Sequence, residues 1–145
     1  MLYKTGGIMR DYTVVHSIFR KKNTLEYFIV FNKKWNQYAP IGGKIEKGED
    51  VMIALLREIE EEVTGYELFE INFVGTFDKP FMRDCIEIKP VAALYEVVFE
   101  GELVSKEDFI EIIKLADVKD SLIYEENAYT CLEKLVRYTE TQGGK

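Results

Sequence analysis

Apolar positions along this chain fall into two spacings, and the switches between them mark its elements. Residues Tyr12 to Arg20 are dense in β-branched and aromatic types and predict a strand. The polar Lys21-Lys22-Asn23-Thr24 predicts a turn, and Leu25 to Phe31 predicts its hairpin partner. That second run is almost continuously apolar, as expected of a strand covered on both faces. Asn32 to Pro40 reads as a loop, and Pro40 followed by Gly42-Gly43 as a sharp turn. The spacing then becomes helical, with Met52, Leu55, Leu56, Ile59 and Val63 on one stripe. Asp50 is the predicted N-cap, and the helix is expected to run to about Thr64 and stop at Gly65 as a C′ glycine.

Leu68 to Phe77 predicts another strand, and Asp78-Lys79-Pro80 a turn. Ile86 to Glu100 predicts one long strand, or two joined by an irregularity at Pro90. After Gly101 come an acidic loop, Ser105-Lys106-Glu107-Asp108, and a short apolar run from Phe109 to Leu115. Tyr124 to Tyr138 predicts a closing amphipathic helix with Ala128, Leu132, Leu135 and Val136 inward. With no internal repeat or linker, the expectation is one α/β domain over residues 1–145, frayed at 1–10 and 140–145.

Composition narrows the class. A chain of 145 residues can bury a sizeable core without staples. Its 47% apolar and 31% charged content is that of a globule and not of a disordered tail. A net charge of −7 lacks the basic footprint of a duplex nucleic-acid binder, yet leaves room for an anionic substrate beside a bound cation. Cys85 and Cys131 are too few for a disulfide framework or a zinc site and read as inert buried thiols. No stretch has the length of an apolar membrane span or the form of a leader peptide, so a cytoplasmic location is expected.

Charge along the helix is the informative feature. Glu58, Glu61 and Glu62, spaced i, i+3 and i+4, fall within about a 100° arc beside the apolar stripe. Like charges at that spacing cost roughly 0.2–0.5 kcal/mol, and acids near a helix C-terminus oppose its dipole. A Glu-rich helix seen alone is most often a solvated face. A hard divalent cation would resolve both conflicts, since Mg²⁺ takes carboxylate oxygens and keeps waters and phosphates in its shell.

The stretch from Gly43 resembles the Nudix box of the Nudix hydrolase family. Gly43, Glu49, Arg57, Glu58, Ile59, Glu61 and Glu62 fall in register with that pattern, preceded by Pro40-Ile41-Gly42. The closing glycine of the pattern belongs at 64, where Thr64 stands and Gly65 follows, which reads as a helix one residue longer. The resemblance implies a Nudix-like α/β/α sandwich with a mixed central sheet. It also implies that Glu58, Glu61, Glu62 and the Gly42 carbonyl hold Mg²⁺ or Mn²⁺, with Arg57 and Glu49 orienting them. The general base would lie on the loop after the long strand, where Glu107 is the first choice and Asp108 and Glu102 are rivals.

The activity implied is a Mg²⁺-dependent pyrophosphohydrolase acting on a nucleoside triphosphate or another nucleoside diphosphate linked to a second group. ADP-ribose or a dinucleoside polyphosphate is the alternative substrate, the former echoed weakly by Pro80. A module that senses a nucleotide without cleaving it is the alternative of another class. The expected partner is a small nucleotide, with neither membrane nor duplex, and a homodimer if the chain assembles. His16 reads as a strand residue with a hydrogen-bonding partner. Trp35, Tyr38, Phe77 and Phe81 read as core or rim before any base-stacking role.

Overall fold

The two N-terminal apolar runs pair as expected. In the computed structural model, which describes residues 12–34, 36–77, 81–88 and 91–117, strands β1 (Val14–Lys21) and β2 (Tyr27–Asn32) form an antiparallel hairpin with Phe19 opposite Phe28. The next segment departs from the predicted loop. Gln37–Ala39 forms β3 on β2, and Ile41–Lys44 forms β4 on β1. Gly42 and Gly43 are therefore strand residues and not a sharp turn. Gly42 lies opposite His16 with φ 154°, and a Cβ there would fall 2.1 Å from the Val15 carbonyl oxygen. Only a glycine lets the two backbones approach so closely.

Helix α1 (Val51–Glu62) begins where its cap chemistry predicts. Asp50 is extended, and its Oδ2 accepts from the Met52 N–H at 3.2 Å. Met52, Ala54, Leu55 and Ile59 are buried, whereas Leu56, assigned to the stripe, is 37% exposed. The C-terminus also differs. The helix stops at Glu62, and β5 (Val63–Phe77) starts at the next residue, well before the predicted Leu68. Gly65 is not a C′ glycine but sits at φ 84° in β5, at a register shift between Thr64 and Tyr66. A glycine serves both purposes for one reason, its tolerance of positive φ.

Phe81–Arg83 (β6) and Ile86–Ile88 (β7) make a small separate hairpin. Its turn residues Asp84 and Cys85 both have positive φ, as a two-residue hairpin of type I′ requires. Cys85 is exposed, contrary to the expected buried thiol. The long apolar stretch resolves into β7 and β8 (Ala92–Ser105), which runs past Gly101 into the predicted acidic loop. β9 (Ile110–Lys114) pairs with β2, and a short 3-10 turn (Leu115–Asp117) follows. The predicted helix at Tyr124–Tyr138, both termini, Trp35, Pro80, Pro90 and Cys131 lie outside the described residues.

The strands form one mixed sheet in the order β3-β2-β1-β8-β5, with β4 added on β1 and β9 on β2. β1 and β8 are parallel, and the other pairs in this sheet are antiparallel. Alternation along β8 separates two cores. Ala93, Tyr95, Val97 and Phe99 join Leu55 and Ile59 of α1, while Ala92 and Leu94 pack with Ile18, Tyr27, Ile29 and Tyr38 on the other face. The class is mixed α/β. That second face also carries Glu96, 1% exposed, which accepts from Arg20 Nε (3.0 Å), Tyr27 Oη (2.9 Å) and Asn72 Nδ2 (3.0 Å). No described helix is long and apolar enough to cross a membrane.

Candidate active site at the acidic end of helix α1

Three segments meet at the end of α1: strand β4 beneath it, the turn before it, and the loop between β8 and β9. Arg57 organises the first turns of the cluster. Its Nε and Nη2 make a bidentate pair with Glu49, at 2.7 and 2.8 Å, and Nη2 also reaches the Lys44 carbonyl at 3.1 Å. Its Nη1 lies 3.0 Å from Glu58 Oε1 and 3.4 Å from Glu61 Oε1. The Arg57 hydrogen bonds, helped by the Glu46 N–H, pull the Glu49 carboxyl down to about 2. The same contact with Glu49 raises the Arg57 pKa further. This pair is a permanent ionic brace, as a planar guanidinium fork on a carboxylate should be.

Glu58 and Glu62 turn toward β4. A Cβ on Gly43 would sit 2.7 Å from Glu58 Oε1, so this glycine clears the space the carboxylate occupies. The Gly42 N–H donates to Glu62 Oε2 at 3.0 Å. Burial raises the Glu58 pKa, against the pull of Arg57. Glu62 is pushed up to about 8, first by burial and then by repulsion from Glu58, with Glu61 and Glu107 adding to it. Glu61 is the outlier, with a side chain 56% exposed.

Glu107 lies on the loop after β8, and its charge bears on Glu62. The loop is fixed locally, because Ser105 Oγ accepts from the Glu107 N–H and donates to the Glu107 carbonyl. Glu107 and its rivals Asp108 and Glu102 are all exposed, Glu102 on β8 itself. His16 stands on β1 opposite Gly42, and burial pushes its imidazole down to about 4. It is neutral at pH 7, as suits a strand residue. Tyr38 is buried and packs edge-on to Phe31 at 4.9 Å, a core role.

The donor set suits a hard divalent cation in kind. It offers carboxylate oxygens whose ionisation is suppressed by burial and mutual repulsion, a condition that a bound cation reverses. Among the described residues no three acid, histidine or cysteine side chains already form a cage. Mg²⁺ does not need one, because it commonly binds through one or two carboxylates, waters and substrate phosphates. The cluster therefore fits such an ion as an open site facing β4. Sequence reasoning missed Lys106, whose backbone and side chain both reach the end of α1. Its position beside the predicted base was the available signal.

Comparison with known proteins bears on the family and the fold. The family model of the NUDIX domain matches residues 10–134. No curated protein matches the chain. Among solved structures, a MutT NUDIX hydrolase from Burkholderia pseudomallei superposes with TM-score 0.65 at 20% identity, covering 88% of this chain and 99% of that one. MutT studied from Aliivibrio salmonicida and Vibrio cholerae gives 0.62 at 25% identity, over 88% and 98%. The NUDIX domain of Shewanella oneidensis NrtR, complexed with ADP ribose, gives 0.66 at 14% identity, over 94% and 93%.

Proposed function

This chain belongs to the NUDIX family of hydrolases, and from that membership we propose that it is a divalent-cation-dependent pyrophosphohydrolase of nucleoside triphosphates or related nucleoside diphosphate derivatives. The observation that carries the reading is the pair Glu58 and Glu62. Both carboxylates lie against the glycines of β4, one in space that a side chain would fill and the other held by the Gly42 N–H.

A bound Mg²⁺ or Mn²⁺, held by Glu58, Glu61, Glu62 and the Gly42 carbonyl, would neutralise charge on the phosphates. The chain's own residues do the rest. Arg57 and Glu49 hold the acids in position, with Arg57 bridging Glu49 to Glu58 and Glu61. Glu107 takes the proton of the attacking water on its carboxylate. The water oxygen forms a bond to phosphorus while the bond from phosphorus to the leaving phosphate oxygen breaks, its electron pair leaving with that oxygen. The substrate's loss of a diphosphate linkage needs no redox partner.

The test is a product-release panel with Mg²⁺ or Mn²⁺ over nucleoside triphosphates, oxidised nucleotides, ADP-ribose and dinucleoside polyphosphates. Release of a nucleoside monophosphate, abolished by Glu62→Gln, is the expected result. Tight nucleotide binding with no turnover under either metal would replace the enzyme by a sensing module. ADP-ribose enters the panel because the NrtR domain binds it.

A further inference from the structure

Helix α1 ends with Glu60, Glu61 and Glu62 and has no basic residue in its last turn. A helix leaves its last four carbonyls without partners inside the helix, and its negative end repels acids. Here those carbonyls belong to residues 59 to 62. The Val63 N–H takes Ile59 O. Lys106 takes two more from another element: its N–H donates to Glu62 O at 2.9 Å, and its ammonium donates to Glu60 O. Strand register explains the meeting, because Val63 pairs with Ser105 and so brings residue 106 across from the helix end. The next residue is Glu107, locked to Ser105 by two hydrogen bonds and followed by an Ile110 N–H on its carbonyl.

We propose that Lys106 is a positioning residue, which clamps the loop carrying Glu107 onto the end of α1 and so sets the distance from Glu107 to the acids of the site. The ammonium does what a basic residue in the last helical turn would do, but from the loop. Helix end and loop therefore cannot separate without exposing an ammonium–carbonyl bond and an amide–carbonyl bond together. The inference rests on the proposed hydrolase reading for its kinetic consequence, and on the hydrogen bonds alone for its structural one.

Two measurements on the full chain test it, using Lys106→Met, Lys106→Arg, Glu107→Gln and the Lys106→Met/Glu107→Gln double variant. Amide hydrogen exchange is read first, without metal or substrate. Lys106→Met should speed exchange over residues 105–110 by about tenfold and leave residues 92–99 of β8 unchanged, and Lys106→Arg should restore protection. Kinetics are read second. Lys106→Met should lower kcat by about tenfold with KM nearly constant, because a displaced base weakens the transition state and not substrate binding. In the Glu107→Gln background the same change should cost nothing further. Unaltered exchange in Lys106→Met overturns the clamp. Losses that multiply in the double variant overturn the claim that Lys106 acts through Glu107. If the wild type turns over no substrate, the hydrolase reading fails and the exchange result still decides the clamp.

Discussion

Glu62 is the residue on which the site's energetics turn. Its carboxyl is raised to about 8 in the folded chain from 4.5, so folding favours the protonated form. The unfolded chain therefore loses its proton first as pH rises. Between about 4.5 and 8 the metal-free protein should lose stability at up to about 1.4 kcal/mol per pH unit from this group. Glu62→Gln removes the ionisable group while keeping a similar shape. We expect it to melt at the same temperature as wild type near pH 4 and at a higher one near pH 8, without metal. Adding Mg²⁺ at pH 8 should raise the melting temperature of wild type more than that of the variant. Equal melting profiles at both pH values would refute the buried-acid account.

At the scale of the elements, the joint between β4 and α1 separates folding from chemistry within two adjacent residues. Gly42→Ala would place a methyl 2.1 Å from the Val15 backbone, which cannot yield, so β4 must leave β1. The expected cost is about 2–4 kcal/mol. Gly43→Ala meets instead the far end of the Glu58 side chain at 2.7 Å, which can swing away. It should fold with less than about 1 kcal/mol lost but lower kcat by at least about tenfold through the displaced carboxylate. Urea titration with parallel kinetics distinguishes the two, and equal stability loss would contradict the geometry.

These elements also show what a sequence can reveal. The start of α1 was legible because Asp50 supplies cap chemistry that is local. The cluster of Glu58, Glu61 and Glu62 was legible because its spacing is a helical one, whereas Arg57 and Glu49 came only with the resemblance to the Nudix box. The end of the helix was not, since Gly65 carries the same positive-φ signal for a bulge as for a C′ position. β4 was not legible either, because its strand character comes from pairing with β1, more than twenty residues earlier, and not from Gly42 and Gly43 themselves. Lys106 was marked only by its place beside the predicted base, and its contact with α1 exists only through the β5–β8 register.

Across the whole molecule, one buried carboxylate joins four strands. Glu96 of β8 accepts from Arg20 of β1, Tyr27 of β2 and Asn72 of β5. Glu96 is flanked on both sides by the apolar residues of the run Val91 to Phe99. Its partners come from distant parts of the chain and could not be read from the pattern. Removing one member of a buried ion pair strands the other, at about 3–5 kcal/mol. Glu96→Ala should therefore lose about that much in chemical denaturation, whereas Lys22→Ala, which breaks the more exposed pair with Glu100, should lose no more than about 1 kcal/mol. Similar losses for both would show that the network does not hold the sheet together.

Helix α1 passes into β5 with no residue between them, Glu62 ending one and Val63 beginning the other. A single residue inserted between Glu62 and Val63 would rotate the whole helix by about 100° relative to the strand. The acids would then face a different side, while the strand kept its register with β8. Length changes are thus excluded from this junction, and the acidic end of α1 and the edge of the sheet can only be inherited together. Variation in what the molecule accepts must enter elsewhere, through segments that can change length without turning the helix.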